Sequence, residues 1–230
     1  MYLSRIQLNP QRRDARRLLG SPQRLHAAVL ASYPDPPTGD RGGDARVLWR
    51  LDTEPDGRVL LYVVSPDRPD FAHLAEQAGW PSTERGTSKE YAPLLDRLAN
   101  GQRWAFRLTA NPTSYLAAKD GGRAKRVAHV SVMHQEKWLT ERAEPAGFRI
   151  ATVPVGGPDG EVPTPALTVT RRSVQQFDRR GSDRPVTIAV AQFDGLLEVV
   201  DADALRRVLV TGIGPAKAYG CGLLTLASAT

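Results

Sequence analysis

Residues 46–65, RVLWRLDTEPDGRVLLYVVS, decide the fold. They divide into two runs rich in Val, Leu, Trp and Tyr, Arg46–Asp52 and Arg58–Ser65, on either side of Glu54-Pro55-Asp56-Gly57. Proline and glycine beside two acids suit a tight turn, so the two runs predict an antiparallel hairpin. Upstream, Tyr2–Leu8 has the alternating character of a half-buried strand. A short basic helix follows Asn9-Pro10 and stops at Gly20, and a second helix starts at Ser21-Pro22 and runs to about Ser32. PDPPTGDRGGDA, residues 34–45, has too many breakers and too little apolar content to be an element, and reads as a loop. Downstream, Phe71–Gly79 reads as a helix, and Arg103–Thr109 alternates Trp104, Phe106 and Leu108 with polar or small residues. The order βαββαβ predicts a ferredoxin-like unit, two helices on one face of a four-stranded antiparallel sheet.

The order recurs after Asp120-Gly121-Gly122. Strands are expected at Arg126–Val130, Phe148–Val153, Ala166–Arg172 and Val186–Val200, with a helix over His134–Arg142 and another capped by Asp201. A glycine-rich loop then leads to a last strand, Gly222–Ala227. The expected fold class is α+β, with two tandem ferredoxin-like domains built on antiparallel sheets. The domains are placed at residues 1–115 and 116–230. No residue-by-residue repeat supports a duplication, which rests on element order alone.

The 230 residues are 41% hydrophobic, enough for a modest core in each half. The net charge of +6 comes from arginine far more than lysine, and arginine's planar fork matches phosphate. An acidic polymer is the expected partner class, not a neutral metabolite. Cys221 is the only cysteine, which excludes an intrachain disulfide or a cysteine-rich zinc site and fits a cytoplasmic location. The first residues read as a strand and not as a signal segment, and no apolar run reaches membrane-spanning length, so no membrane association is expected.

Four stretches together carry a resemblance: MYLSRIQLNP at the start, VLWRLD at Val47–Asp52, FRLTANPT at Phe106–Thr113, and GIGPAKAYGCGLLTL at Gly212–Leu226. In order and spacing, over nearly the whole chain, they resemble the CasE endoribonucleases of the type I-E Cascade complex. The resemblance implies a pair of ferredoxin-like domains that bind the hairpin of a CRISPR repeat, cut precursor crRNA at the base of the stem without metal or cofactor, and remain bound to the product beside other Cascade subunits.

Cutting RNA without metal needs a proton acceptor for the 2′-hydroxyl, a proton donor for the leaving 5′-oxygen, and donors for the charge between them. Histidine holds both protonation states near neutrality. His26 lies in the first turns of the helix capped by Ser21, where the ring and the helix's free amides can face one phosphate. By pattern a lone helical histidine is commonly incidental; the resemblance implies the catalytic role, since the family carries a histidine at this place. Family members often have a tyrosine one turn earlier, where this chain has Gln23. An amide can orient a phosphate but cannot usefully exchange a proton, so Gln23 is given an orienting role and a second acid or base is left unassigned. His73, His129 and His134 gain no such support, and the four histidines lack ligand spacing with carboxylates, so no metal site is expected.

The expected RNA-binding residues fall in three groups. Arg12, Arg13, Arg16, Arg17 and Arg24 belong to the two N-terminal helices. Arg171, Arg172, Arg179 and Arg180, with Arg184, belong to a basic hairpin which, by resemblance, enters the groove of the repeat stem. Gly212, Gly214, Lys217, Gly220 and Gly222 belong to the glycine-rich loop, whose spacing matches no nucleotide-binding motif. That loop has two readings by pattern: amides brought close to phosphates, or a helix-to-strand connection needing glycine for its backbone. The resemblance favours RNA contact. Arg123, Lys125 and Arg126 form a further basic cluster, facing RNA or guarding a strand edge. A non-cleaving repeat-binding subunit is the alternative function. An RNA-recognition domain stacking bases on Trp104 and Phe106 is disfavoured, because no RNP1-like run surrounds them and both read as core.

Overall fold

A computed structural model describes residues 1–35, 46–81, 86–116, 125–157, 160–178 and 185–229. Most of the loop expected at 34–45 lies outside the described residues.

The hairpin within residues 46–65 forms β2 (Leu48–Thr53) and β3 (Val59–Ser65), paired antiparallel from Leu48 opposite Val64 to Thr53 opposite Val59. Gly57 closes the turn at φ +82°, a backbone region that glycine enters without penalty. β3 pairs on its other edge with β1 (Tyr2–Leu8), and β4 (Thr87–Glu90) completes the sheet order β2-β3-β1-β4. One face of this sheet packs against α1 (Arg13–Leu19), α2 (Pro22–Leu30) and α3 (Ala72–Ala78) through Ile6, Leu8, Leu25, Val29, Leu61 and Leu74. This is the ferredoxin-like arrangement, but its fourth strand is β4 (Thr87–Glu90) and not the expected Arg103–Thr109. The sequence TSKE offers no apolar alternation. As an edge strand it pairs, among the described residues, with Tyr2–Arg5 alone, and a 2.8 Å hydrogen bond joins the hydroxyls of Ser4 and Ser88.

After α4 (Ala92–Asp96), Arg103–Ala110 becomes β5, the first strand of the second sheet. The strand expected at 126–130 is instead half of a separate small hairpin, β6 (Thr113–Leu116) with β7 (Lys125–Ala128). The boundary at 115 therefore shifts upstream, to the chain between β4 and β5. Trp104 and Phe106 are buried in the core, as expected.

The second unit continues through α5 (Val132–Ala143), β8 (Phe148–Ile150), the hairpin β9 (Thr152–Gly157) and β10 (Gly160–Pro165), β11 (Leu167–Phe177), β12 (Val186–Val199), α6 (Ala202–Thr211) and β13 (Leu224–Ser228). Its sheet order is β11-β12-β5-β13, with β8 also on β12. β5 occupies one edge of β12, so β8 and β11 share the other, end to end. The second ferredoxin-like strand is thus split, and the β9–β10 hairpin leaves the sheet at the break. Three backbone bonds close the break: Ala151 N–H to Leu196 O at 2.9 Å, Leu196 N–H to Ala166 O at 2.9 Å, and Ala166 N–H to Ala151 O at 2.8 Å.

The two sheets meet over β2, which is buried on both faces. Leu48 and Val64 enter the core of the second unit beside Leu108, Trp138 and Leu223. On the same face, the fully buried Arg50 donates to Arg107 O at 2.9 Å and Leu223 O at 3.1 Å, while Asp52 accepts from its Nε and Nη2 at 2.7 and 2.8 Å. Removing one partner of such a pair strands the other charge away from water. Asp52→Ala is expected to destabilise the fold by about 3–5 kcal/mol, read as a fall in the urea midpoint with an unchanged slope.

Candidate RNA-cleavage site

α2 begins as expected. Ser21 Oγ accepts from the Arg24 amide at 3.4 Å, and Pro22 occupies the first turn, where its missing N–H costs nothing. Leu25 and Val29 are buried and anchor the helix to the sheet. That leaves His26 at the flank, half-buried, with Gln23 part-exposed one turn earlier. His26 Nδ1 accepts a 3.2 Å hydrogen bond from the indole Nε1–H of Trp49 on β2. Among the described residues Nε2 takes no hydrogen bond. Burial lowers the imidazole pKa below its ordinary value of 6.5.

Trp49 also joins His26 to the glycine-rich loop. Its ring lies so close to Gly220 that a β-carbon there would come within 2.6 Å of it. Gly220 has φ +79° and starts the return to β13, after a 3₁₀ turn over Lys217–Tyr219 that packs against α2. Gly212, Gly214 and Gly222 also have positive φ, and β-carbons there would press on Leu48, Trp138 and Ile213 O respectively. These glycines serve the internal packing of the loop, in which Lys217 is partly buried and Ala218 exposed. Burial, then the charge of Arg46, lowers the Lys217 amine below its ordinary range. Cys221 is fully buried and its thiol is pushed up to about 12, so it has no nucleophilic part here.

The expected basic residues divide by what they touch. Arg13, Arg16, Arg17 and Arg24 are exposed on α1 and α2, Arg17 lying 3.8 Å from Asp14. Arg12 is partly drawn inward and donates to Gly79 O at 3.1 Å, at the end of α3. Arg171 and Arg172 are exposed on β11. Arg171 reaches back to Thr53 Oγ1 at 2.9 Å, and Arg172 donates to Val130 O at 3.2 Å. Arg179, Arg180 and Arg184 lie outside the described residues, as does Arg123. Lys125 and Arg126 are exposed on β7, with the Arg126 guanidinium 5.2 Å over the Tyr115 ring.

A cleft of about 320 Å³ runs between the N-terminal helices and the helix-free face of the second sheet, lined by Leu18, Trp49, Thr53, Arg171, Gln175 and Tyr219 among others. The remaining histidines have local tasks. His73 Nε2 bonds Ala28 O at 3.0 Å, and His129 and His134 stack at 5.9 Å near the start of α5. Sequence reasoning missed Trp49. It looks like one more apolar residue in a run buried on both faces, and its only signal is an indole N–H that burial obliges to find an acceptor.

A family model described as CRISPR associated protein matches residues 1–228. The chain is 31% identical over 233 residues to the CRISPR-associated endoribonuclease Cse3 of Thermus thermophilus, covering 99% of this chain and all of that one. This chain belongs to the CasE/Cse3 family. The Cascade subunit CasE of Escherichia coli is 31% identical over 192 residues, covering 78% of this chain and 88% of that one. Among solved structures, the endoribonuclease Cse3 bound to a 19-nucleotide RNA matches with a TM-score of 0.75 and 31% identity, over 99% of this chain and all of that one. The two tandem ferredoxin-like units are therefore the family fold. No helix among the described residues of this CasE/Cse3 chain is long and apolar enough to cross a membrane.

His26 also makes stability depend on pH. Its folded-state pKa is depressed, so the unfolded chain takes up a proton first as the pH falls, and the contribution is lost from about 6.5 downward through the folded value. The drop in urea midpoint between about pH 7.5 and about pH 5.5 is expected to be smaller in His26→Gln than in the wild type.

Proposed function

We propose that this chain is an endoribonuclease that binds the hairpin of a CRISPR repeat, cuts precursor crRNA at the base of the stem, and stays with the product as a Cascade subunit in the cytoplasm. The observation that carries the reading is His26: a half-buried imidazole held by Trp49, with Nε2 unbonded among the described residues, on a helix between arginine-rich α1 and the Lys217 turn. In the reaction the ribose 2′-oxygen bonds to phosphorus and the P–O5′ bond breaks. The proton lost by the 2′-hydroxyl goes to a base, and the 5′-oxygen gains one. The products are a 2′,3′-cyclic phosphate and a 5′-hydroxyl.

His26 takes part in the proton movement without metal or cofactor, and Gln23 orients the phosphate. Lys217 and Arg24 offset the charge on the pentacoordinate phosphorus. The loop glycines hold Lys217 in place, and the exposed arginines of α1, α2 and β11 supply phosphate contacts. A subunit that binds the repeat without cutting is the second reading, favoured by Gln23 at the place where relatives often carry tyrosine.

A repeat-hairpin RNA incubated with excess chelator separates the two. The wild type is expected to cut, and His26→Ala to bind within a few-fold while single-turnover cleavage falls by about 10²–10⁴. Uncut RNA with the wild type would establish the binding subunit. Equal cutting by both proteins would remove His26 from the mechanism.

Replacing Arg171, Arg172, Arg179 and Arg180 together is expected to weaken binding and to flatten the slope of log affinity against log salt by roughly 0.7–0.9 for each phosphate no longer neutralised. An unchanged slope would clear these arginines of any phosphate role.

A further inference from the structure

We propose that Trp49 is a positioning residue that fixes the tautomer of His26, so that the imidazole meets RNA through an Nε2–H donor and cannot serve as a base at that nitrogen. The inference deepens the nuclease reading and rests on it only for its kinetic consequences.

The indole N–H is a donor with no acceptor capacity, and a neutral imidazole carries one donor and one acceptor nitrogen. The ring atom facing Trp49 Nε1 at 3.2 Å is Nδ1, which must present its lone pair. The proton of the neutral ring then resides on Nε2. The opposite tautomer would set two N–H groups against each other and leave a buried indole donor unpaired. That penalty favours Nε2–H by roughly ten- to hundredfold.

The imidazolium suffers the same conflict at Nδ1. Burial works in the same direction; the elements packed against α2 carry Lys217 on the 3₁₀ turn and Arg13, Asp14, Arg16 and Arg17 on α1, with Asp14 beside Arg17.

Trp49 has little freedom to yield. It is 2% exposed, sits on a strand paired with Val63, and lies against Gly220 with no room for a β-carbon between them. Its ring and its N–H therefore have separable tasks: the ring seats the glycine loop, and the N–H sets the imidazole. The neutral Nε2–H gives a hydrogen bond to the oxygen on which negative charge develops, the leaving 5′-oxygen above all, while the proton that this oxygen gains comes from water. The acceptor for the 2′-hydroxyl proton must be another group.

The full chain with ¹⁵N-labelled histidine tests the assignment directly. Long-range ¹H–¹⁵N spectra of the wild type are expected to show His26 protonated at Nε2 throughout the neutral range. Trp49→Phe keeps an aromatic ring and removes the N–H; it should mix the tautomers and raise the His26 titration midpoint. A wild-type proton on Nδ1, or an unchanged tautomer in Trp49→Phe, would overturn the inference.

Cleavage supplies the second readout. Trp49→Phe is expected to cut a repeat hairpin about tenfold more slowly, part of the roughly 10²–10³ that one fixed hydrogen-bond donor to developing charge contributes. A substrate with bridging 5′-sulfur, whose leaving thiolate needs no donor, should abolish the deficits of both Trp49→Phe and His26→Ala. A deficit in Trp49→Phe that persists with sulfur would assign the loss to loop packing and refute the donor role. Altered tautomers with unaltered cleavage would leave the tautomer assignment standing and sink the catalytic reading of His26.

Discussion

The structure depends on one buried ion pair. Arg50 and Asp52 are two residues apart on β2, so both face the second sheet, where a guanidinium without partners would be prohibitively costly. Asp52 supplies the charge and two acceptors, and the carbonyls of Arg107 and Leu223 supply the rest. Those carbonyls belong to β5 and to the residue before β13, so the pair ties the first unit to two neighbouring strands of the second. The network extends outward through Arg107, which bonds Asp194 at 2.6 Å. Burial works to lower the Arg107 pKa, but Asp194, Asp52 and Glu54 raise it overall.

The same pair sets the register of β2, and with it the site. Side chains alternate along a strand, so holding Arg50 toward the second sheet turns Trp49 toward α2 and the glycine loop. A slip of one residue would exchange them, burying the indole between the sheets and aiming a guanidinium at His26. The chain thus uses an electrostatic constraint on one face of β2 to aim a hydrogen-bond donor on the other. The specificity of a buried charge, more than its stability, matters here.

How far the sequence reveals this varies by element. The β2–β3 hairpin is legible because its turn chemistry and its apolar runs agree, and α2 because Ser21-Pro22 caps a periodic segment. β4 is not legible: TSKE is held by backbone pairing to one neighbour and by a serine–serine bond, neither of which leaves a hydrophobic pattern. With β4 hidden, the well-alternating Arg103–Thr109 mimics the missing fourth strand, and the domain boundary moves with it. His26 is singled out by the family resemblance and not by the helix pattern, and its partner cannot be read at all, because the indole is brought to it by sheet register and not by sequence distance. Arg50 and Asp52 carry a usable signal, opposite charges at i and i+2 within a strand otherwise apolar on both faces. The basic character of the chain points to an acidic polymer as the class of partner, yet Arg12 shows that charge composition does not say which arginines are engaged in internal bonds.

The break in the second strand of the second unit carries a consequence for how such a protein can vary. β8 and β11 hold their places on β12 independently, and the three bonds among Ala151, Ala166 and Leu196 keep the ends of the intervening chain together whatever lies between them. Residues 152–165 thus form a cassette: their length and composition can change without moving the sheet's register, the buried pair or the helix that carries His26. Gly195 belongs to that clasp, since a β-carbon there would meet Ala166 O at 2.1 Å. A fold with a fixed His26 helix and an interchangeable arm can acquire a new binding surface by altering one loop.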